Sequence, residues 1–447
     1  MHSRAMSSST VRQPRVVLPT FGTLGDLHPF LAIALELKRR GVDPIVAAAE
    51  VYRAKVESEG IRFQRMRPDM DAVSERLGMD ERALAQAVAK RPDFIVRDIV
   101  LPHLKEAYED VMQVARDADL LVTHSAAYGA HLVAEVCERP WLSVALQPMI
   151  FFSAYDPPII ATTPRLSQWI YRRGPAWTRA AFRLSKQIAR RWGKPIDAFR
   201  RELGLPPAST NPIFEGQFSP SGTIALYSPL FGPPQSDHPP HTTTVGFAFY
   251  DKHSAAHDAL NEFLDRAEAP LVFTQGTSAV HDATTFIRES LEVVRILGAR
   301  AVLVLDEQRA REWQAHATER ILITGYAPYS ALFPRARVII HHGGIGTTAQ
   351  ALRSGRPQLI APYLVDQPDN AHRVERLGCG RTVPLVHYRA SKVVDILRSV
   401  LHQPHIEQRT QAVGRAIRAE NGAQKAADLI LDELRMRSAA VTSSRAG

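Results

Sequence analysis

The segment from Arg337 to Pro357 constrains the fold most, because it predicts a strand, a glycine-rich turn and a helix in direct succession. Arg337 to Ile340 is a short apolar, β-branched run, and Ala349 to Ser354 suits a helix that is closed by Gly355 and Pro357. Such a turn leaves the first backbone N–H groups of the helix unpaired, and together with the helix dipole they favour an anion. The sequence therefore predicts an α/β protein with an anion-binding turn.

The side chains of this turn suit a diphosphate. Gly344 and Gly346 let phosphate oxygens approach the main chain, and Thr347 can add a hydroxyl donor. His342 can donate an imidazole N–H to a departing phosphate. Glycine-rich turns also occur in many α/β proteins for steric reasons alone, so the turn by itself leaves both interpretations open.

The turn and its downstream residues together resemble the donor-binding signature of the family 1 glycosyltransferases. This GT-B group includes plant UDP-glycosyltransferases, sterol glucosyltransferases and glycopeptide-antibiotic glycosyltransferases. The resemblance implies that His342, Gly344 and Thr347 hold the diphosphate of a nucleoside-diphosphate sugar. It also implies that Asp366 and Gln367 bind the sugar hydroxyls.

Two positions depart from the plant members of the family, which have Trp-x-Pro-Gln at the start of the signature and a ribose-binding Glu within it. This chain has Tyr326-Ala327-Pro328-Tyr329 and Gln350 instead. Tyr326 and Ala327 stay the candidate base contacts and Gln350 the candidate ribose contact, with UDP and dTDP both open as the nucleotide. Thr277 and Ser278, after a predicted strand at 271–274, are further phosphate candidates, with helix capping as the alternative.

A second strand–turn–helix unit near the amino terminus places Asp26 at the start of a helix predicted from Asp26 to Arg39. A residue at this turn projects into the crevice beyond the carboxyl ends of the strands, although an acid there also suits helix capping. The segment from Gly22 to Pro29 resembles the Gly-Thr/Ser-x-Gly-Asp-x-x-Pro segment of the sterol and glycopeptide glycosyltransferases. The resemblance implies that Asp26 is the general base that deprotonates the acceptor hydroxyl.

His124 ends a predicted strand that begins at Asp119, so its side chain should face the same crevice. In His-based relatives an Asp near this strand end orients the catalytic His, so Asp26 and His124 form a reversed pair in one interpretation. In the other, His124 is a bystander. The only Asp-x-Asp near a strand, Asp117-Ala-Asp119, precedes that strand instead of following it. We therefore expect no metal and no cofactor apart from the nucleotide-sugar co-substrate.

The length of 447 residues and the 45% hydrophobic content predict two domains. We expect the GT-B arrangement, in which two doubly wound Rossmann-like domains face a central cleft. A proline-rich stretch from Ser228 to Pro240 suits a connector. The expected parts are a disordered tail at 1–13, an acceptor-binding domain at 14–227, a linker at 228–245, a nucleotide-sugar-binding domain at 246–405, a helix at 406–436 crossing back to the first domain, and a disordered tail at 437–447.

Charge and cysteine content bear on location. Cys137 and Cys379 stand in no metal or redox spacing, which is consistent with a reducing cytoplasm. The polar amino terminus lacks the apolar core of a secretory signal, and no run approaches eighteen apolar residues. We therefore expect a cytoplasmic protein, with peripheral attachment to the inner face of the cytoplasmic membrane as a further option.

The net charge of +9 is concentrated between Arg165 and Arg201, where eleven Lys or Arg residues accompany one acid, Asp197. Interleaved aromatic residues make this composition typical of a basic amphipathic segment on an anionic membrane. A solvated basic helix is the alternative, and we expect no nucleic-acid partner because no recognition motif accompanies the charge. The candidate membrane or acceptor contacts are Trp169, Arg172, Arg173, Trp177, Arg190 and Arg191.

Within the family, the segments Pro270–Gly276 and Tyr326–Pro328 are similar to those of the rhamnolipid-type rhamnosyltransferases. The resemblance implies an inverting, metal-independent hexosyltransferase that uses a dTDP- or UDP-sugar and a hydrophobic acceptor, with a lipid favoured. A sterol or natural-product glycosyltransferase stays open as the alternative. A nucleotide-sugar epimerase and a catalytically silent helper stay open as well.

Overall fold

The computed structural model describes residues 12–91, 93–251, 258–266, 268–275 and 283–446. The first half of the chain forms a seven-stranded parallel sheet in the order β3-β2-β1-β4-β5-β6-β7. Its strands are β1 Arg15–Pro19, β2 Asp43–Ala48, β3 Arg62–Arg65, β4 Leu120–His124, β5 Trp141–Ala145, β6 Thr223–Ala225 and β7 Thr242–Thr244. The strand order reverses between β1 and β4, so a crevice opens at the carboxyl ends of these two strands.

Helices cover both faces of this sheet, which explains why its central strands β1, β4 and β5 are buried along nearly their whole length. They are α1 Leu24–Arg39, α2 Arg53–Ser58, α3 Met70–Leu77, α4 Glu81–Lys90, α5 Leu104–Ala115, α6 Tyr128–Val136, α7 Pro164–Tyr171, α8 Pro175–Ala189 and α9 Lys194–Glu202. Helix α1 begins two residues earlier than the sequence predicted because Thr23 caps it and its side chain accepts a hydrogen bond from the Gly25 N–H.

The second half forms a six-stranded parallel sheet in the order β10-β9-β8-β11-β12-β13. Its strands are β8 Leu271–Thr274, β9 Ala301–Val304, β10 Ile321–Thr324, β11 Val338–His341, β12 Gln358–Ile360 and β13 Gly380–Thr382. Its helices are α10 Asp258–Asp265, α11 Ala283–Leu297, α12 Glu307–Trp313, α13 Tyr329–Leu332, α14 Ile345–Ser354, α15 Gln367–Arg376 and α16 Ala390–Leu401. Here the strand order reverses between β8 and β11, so the predicted two doubly wound domains are confirmed.

Two helices complete the chain, α17 Pro404–Arg418 and α18 Gly422–Ala446. Helix α17 stays with the second domain, where Gly414 lies against Gly355 at the end of α14. Helix α18 begins against the carbonyl of Gly246 and crosses to the first domain, where Ile430 joins the apolar cluster that contains Leu27. The crossing helix is thus the second of the two, and its Asp428 forms an ion pair with Arg40 of α1.

Two parts of the chain differ from the sequence-based expectation. Thr242–Thr244, inside the predicted linker, is the edge strand β7, since three consecutive β-branched residues favour an extended strand. The first sheet therefore ends at 244. The predicted disordered tail at 437–447 is helical as far as Ala446, because it continues α18 through Arg, Ala and Ser without a glycine or proline to end it.

The two domains share a buried core. One apolar cluster joins Ala145 and Phe247 on the side of the first domain to Ile345 and Leu352 of α14. A buried ion-pair network, with Arg373 of α15 at its centre, adds to it. Arg373 pairs with Asp369 one turn earlier and with Asp156 of the first domain, and its side chain is 1% exposed. The cleft between the domains is therefore closed on this side by packing and charge.

Candidate functional site

The first residues of two helices meet across the domain boundary. Helix α1 begins at the carboxyl end of β1, and α14 begins at the carboxyl end of β11. A Cβ atom placed on Gly346 would lie 3.3 Å from the Cα of Gly25. The first backbone N–H groups of α1 are bonded to Thr23, so the donors that can bind an anion in the cleft come from the start of α14.

Asp26 lies at the third position of α1 and completes a capping box with Thr23. Its Oδ2 accepts hydrogen bonds from the Thr23 backbone N–H at 2.7 Å and from the Thr23 hydroxyl at 3.2 Å. The carboxylate nevertheless keeps 27% of its side-chain surface exposed. Capping and a role in the cleft are thus compatible, because capping uses one carboxylate oxygen and leaves Oδ1 accessible.

His124 lies beside that free oxygen, with its Nε2 3.7 Å from the Asp26 Oδ1. Its Nδ1 accepts the backbone N–H of Ala126 at 3.2 Å, so in the neutral ring the proton is on Nε2, facing Asp26. The two side chains that the sequence suggested as a reversed pair therefore lie together. A separation of 3.7 Å is longer than a direct hydrogen bond and leaves Oδ1 free to meet another donor.

The protonation states of this pair follow from its environment. Burial raises the pKa of the Asp26 carboxyl above its usual value, and the adjacent His124 opposes that rise. Burial lowers the pKa of His124, and Asp26 opposes that fall. A carboxyl whose pKa is raised towards neutrality is a better proton acceptor than an ordinary surface aspartate.

The turn before α14 has a buried imidazole, that of His342, the residue predicted to hold the diphosphate. His342 is 7% exposed, burial lowers its pKa to about 3, and its Nδ1 is buried without a hydrogen-bond partner in the described part of the chain. A Cβ atom on Gly344 would lie 2.5 Å from the His342 Nε2, so only glycine leaves room for the ring. His341 is structural instead, because its Nε2 meets Gln358 and its Nδ1 accepts the Gly343 N–H.

Thr347, in the first turn of α14, is 8% exposed and lies within the same turn as Gly346. The neutral imidazole of His342, the backbone N–H groups at the start of α14 and the Thr347 hydroxyl are all hydrogen-bond donors. They supply the donor set for an oxygen-rich anion such as a diphosphate. Thr277 and Ser278, the further phosphate candidates, lie outside the described residues.

Asp366 and Gln367 begin α15, next to the α14 turn. Burial, with a further contribution from the charge of Asp26, raises the pKa of Asp366 to about 7. Asn370 fixes this carboxylate, since its amide N–H groups donate to the Asp366 Oδ2 at 2.7 Å and to the Gly343 carbonyl at 2.9 Å. Asp366 of the second domain and Asp26 of the first are thus close enough to influence each other's charge.

The side chain of Gln367 is only partly available to a ligand, because its oxygen binds the protein backbone. It is 2% exposed, and its Oε1 accepts the backbone N–H groups of Tyr363 and Leu364 at 2.9 and 3.0 Å. Only its amide N–H groups remain for a sugar hydroxyl. The sequence signature locates this residue, but it does not reveal that half of the amide holds the loop before α15.

The candidate base and ribose contacts lie on the side of the second domain. Tyr326 is 47% exposed, whereas the side chain of Ala327 is buried, so Ala327 can offer only its main chain. The Gln350 amide donates to Asp251 at 3.3 Å, and Asp251 also pairs with Arg353. Sequence reasoning missed Asp251, because it lies far from Gln350 along the chain and belongs to no motif.

Five of the six candidate membrane contacts are exposed: Trp169, Arg172, Arg173, Trp177 and Arg191. The Arg173 guanidinium lies over the Trp169 ring at 3.4 Å from its centroid. Arg190 is half-buried in an ion pair with Asp197, with 2.6 Å between the paired atoms, so it does not belong to the exposed set. The physical reason is that Asp197, the only acid in the segment, lies two turns further on and neutralises it.

Two further features concern the described residues alone. They contain no group of three or more His, Cys, Asp or Glu side chains arranged to hold a metal ion. None of their helices is both long enough and apolar enough to cross a bilayer.

Comparison with known proteins gives the relatives of the chain. Residues 288–434 match the model of the erythromycin biosynthesis protein CIII-like C-terminal domain. The chain is 29% identical over 442 residues to O-mycaminosyltylonolide 6-deoxyallosyltransferase of Streptomyces fradiae, covering 96% of this chain and 99% of that protein. It is 25% identical over 431 residues to sterol 3-beta-glucosyltransferase of Yarrowia lipolytica, covering 93% of this chain and 28% of that protein.

Solved structures agree on the fold. Glycosyltransferase VinC in complex with dTDP has a TM-score of 0.66 at 18% identity, covering 95% of this chain and 100% of that one. Spinosyn rhamnosyltransferase SpnG, complexed with thymidine diphosphate, has a TM-score of 0.63 at 16% identity, covering 94% of this chain and 99% of that one. These structures and the two doubly wound domains show that the chain has the GT-B fold, and its relatives over nearly the whole chain are named as glycosyltransferases, which supports a hexosyltransferase enzyme. Residues 288–434 of its carboxy-terminal part are similar to the EryCIII-like C-terminal domain.

Proposed function

We propose that this chain transfers a hexose from a dTDP- or UDP-linked sugar to a hydroxyl of a hydrophobic acceptor, with inversion at the anomeric carbon and without a metal ion. The observation that carries the proposal is the meeting of Asp26 with the start of α14 across the cleft, because base and leaving-group site must lie on opposite sides of the reacting carbon. Gly25 and Gly346 approach closely at this point.

The reaction is a single displacement. The acceptor oxygen attacks the anomeric carbon as the bond from that carbon to the diphosphate oxygen breaks, and the hydroxyl proton passes to the Asp26 Oδ1. His124, 3.7 Å from that oxygen, stabilises the charged carboxylate before transfer. The departing diphosphate receives hydrogen bonds from His342 and from the backbone N–H groups that begin α14.

The donor is positioned by the second domain. Asp366 accepts hydrogen bonds from sugar hydroxyls, Gln367 offers its free amide N–H groups, and Tyr326 with the Ala327 main chain meets the base. We put dTDP first among the nucleotides, since the similar structures of VinC and SpnG are complexes with dTDP. Gln350 contacts the ribose through its side-chain oxygen, which is buried and unpartnered in the described structure.

For the acceptor, a hydroxylated lipid is supported by the exposed surface of the first domain. We call the residues Leu166, Trp169, Trp177, Leu184 and Ile188 the α7–α8 apolar face; each is between 53% and 62% exposed. Exposed arginines surround this face, including Arg172 and Arg173, as expected for a helix pair that rests on an anionic bilayer. A natural-product or sterol acceptor is the second candidate, and the names of the relatives favour it.

The proposed donor is tested by calorimetric titration of the protein with UDP, dTDP, UDP-glucose and dTDP-rhamnose in the presence of a chelator. We expect one nucleotide family to bind without metal, and the corresponding sugar then to be transferred to hydroxylated lipids. Binding that requires a divalent cation would contradict the metal-free mechanism. Failure of every nucleotide to bind would contradict the transferase function itself.

Membrane contact is tested by sedimentation with vesicles of phosphatidylcholine, with and without phosphatidylglycerol. We expect binding to the anionic vesicles alone and its loss when Trp177→Gln and Leu184→Gln are combined. Val51→Gln is the matched control, because Val51 is an equally apolar exposed residue, 78% exposed, outside the α7–α8 apolar face. Equal binding of the double variant and the wild type would argue against this surface.

A further inference from the structure

Helix α8 exposes large apolar residues on one face and carries basic residues on another. Its apolar residues Trp177, Leu184 and Ile188 are exposed, and their spacing of seven and four puts them on one face of the helix. The opposite face is basic. It carries Arg179, Arg183 and Lys186 at successive turns, followed by Arg190 just after the helix. The helix packs on the protein through a third strip that contains the buried Thr178 and Ala189, so its basic side chains border the space beside the helix.

The basic face of α8 lines a pocket of about 460 Å³, which we call the α8 pocket. Three phenylalanines, Phe151, Phe152 and Phe182, form its apolar walls, and Phe152 meets Phe182 edge to face with centroids 5.6 Å apart. A space of this size suits a small organic molecule. Its lining combines an apolar part with a strongly cationic part.

The two acids that line the pocket are already engaged. Glu215 pairs with Lys186 at 3.4 Å and accepts the Asn211 backbone N–H at 3.1 Å. Asp237 accepts the Ser153 hydroxyl at 2.6 Å and the Ala154 N–H at 2.7 Å. Neither carboxylate contacts Arg179 or Arg183.

Two guanidinium groups are consequently left without a charged partner. Arg179 donates to the neutral hydroxyl of Tyr155 at 3.0 Å, and Arg183 has no hydrogen bond or ion pair with any residue that the structure describes. The two arginines are one helical turn apart, about 6 Å along the axis. Planar guanidinium groups at this separation are suited to bind the oxygens of a carboxylate or a phosphate.

The α8 pocket lies at the same edge of the first sheet as His124. Its wall residues 151 and 152 lie at the end of the short turn that follows β5, and β5 pairs with β4 so that His124 is the register partner of Val144. From the pocket the chain continues to Asp156, which pairs with Arg373 of α15, the helix that begins beside Asp366. The pocket therefore lies at the carboxyl end of the first sheet, where the cleft also opens, and the segment that lines it continues to an ion pair with α15.

We propose that the α8 pocket binds the anionic end of the acceptor, so that the acceptor is an acidic amphiphile with a carboxylate or a phosphate group. Arg179 and Arg183 hold the anion, and the phenylalanines cover the adjoining hydrocarbon. This inference rests on the proposed function and narrows its acceptor to a charged class. It also assigns a role to the exposed apolar residues on the outer face of α8. They would contact the membrane surface at which an amphiphile of this kind resides.

The test uses two probes that differ only in charge, 3-hydroxydecanoate and its methyl ester, titrated calorimetrically into the full chain. We expect the acid to bind about ten- to hundredfold more tightly than the ester, the range of charge-assisted hydrogen bonds. The double variant Arg179→Gln with Arg183→Gln should remove that preference. Arg165→Gln is the matched control, because it removes one exposed arginine of the same segment that does not line the pocket.

Binding of dTDP and UDP to the same samples separates the possible failures. If a nucleotide binds and the wild type does not distinguish acid from ester, the α8 pocket inference is overturned and the proposed function stands. The same holds if the double variant keeps the full preference. If no nucleotide binds to the wild type, the proposed function is overturned, and the pocket inference that rests on it is overturned as well. Retained nucleotide binding by the double variant would confirm that the loss of acid binding is not caused by unfolding.

Discussion

Asp366 makes the folded protein less stable than it would be with a neutral side chain, and the size of this effect depends on pH. Burial raises its pKa from 3.8 to about 7, so the folded protein binds this proton more tightly than the unfolded chain does. As the pH rises through this interval the unfolded chain loses the proton first, and unfolding becomes progressively easier. Above the folded pKa both states are ionised and the cost stays constant.

The magnitude follows from the shift. At about 1.36 kcal/mol for each pKa unit, the rise from 3.8 to about 7 corresponds to about 4 kcal/mol at alkaline pH. The isosteric variant Asp366→Asn carries no charge and should therefore be more stable than the wild type. Its advantage should grow by about 3 kcal/mol between about pH 5 and about pH 8.5. Urea unfolding followed by tryptophan fluorescence at both pH values measures this difference.

The neighbouring Asp369 provides the matched control, because its change to Asn should destabilise the protein instead of stabilising it. Asp369 is 1% exposed, more buried than Asp366, and it accepts hydrogen bonds from the Arg373 Nε at 2.7 Å and the Ile159 N–H at 3.0 Å. Asp369→Asn leaves the buried Arg373 short of a partner and should destabilise the protein by about 3 to 5 kcal/mol at both pH values. An Asp366→Asn variant whose stability relative to the wild type does not change with pH would refute the reasoning.

Three further variants probe the cleft. Asp26→Asn should lower turnover about 10²- to 10⁴-fold while leaving dTDP affinity unchanged. It should also abolish the acidic limb of the pH–rate profile, whose pKa lies above 3.8 because burial raises the pKa of Asp26. Retained turnover would show that Asp26 is not the base. His342→Ala should weaken nucleotide binding by about 1.5 to 3 kcal/mol and lower turnover as well, so normal calorimetric affinity would exclude it from the site. Gly346→Ala puts a Cβ atom 3.3 Å from the Gly25 Cα, and the resulting displacement should lower turnover about ten- to hundredfold in steady-state assays. An unchanged rate would mean that the two helix ends do not need to approach.

Local sequence patterns were sufficient to predict the structure where a strand, a turn and a helix follow one another directly. The glycine turn before α14 and the Asp26 turn were both predicted, and parallel strand ends then bring Asp26 beside His124. The edge strand β7 was not predicted, since three residues between proline-rich and glycine-containing segments give too short a pattern. A three-residue strand becomes stable only through its neighbour β6.

Side-chain partners across the domain boundary could not be predicted. The spacing of Asp369 and Arg373 is visible as a helical pair, but their third member, Asp156, lies more than two hundred residues away in the sequence. Likewise nothing near Gln350 indicates that Asp251 receives its amide. Such pairs depend on how the two domains pack against each other, and a local sequence pattern contains no information about that packing.

The start of α18 restricts how the enzyme can open. The chain passes between the domains twice, after β7 and again between α17 and α18, and the two passages touch, since a Cβ atom on Gly422 would lie 2.4 Å from the Gly246 carbonyl oxygen. Glu420, in the second passage, also accepts the Ser228 hydroxyl at 2.5 Å. Two covalent connections at one point act as a single hinge. We therefore expect any opening of the cleft to be a rotation of one domain about this point, widest on the side opposite to it.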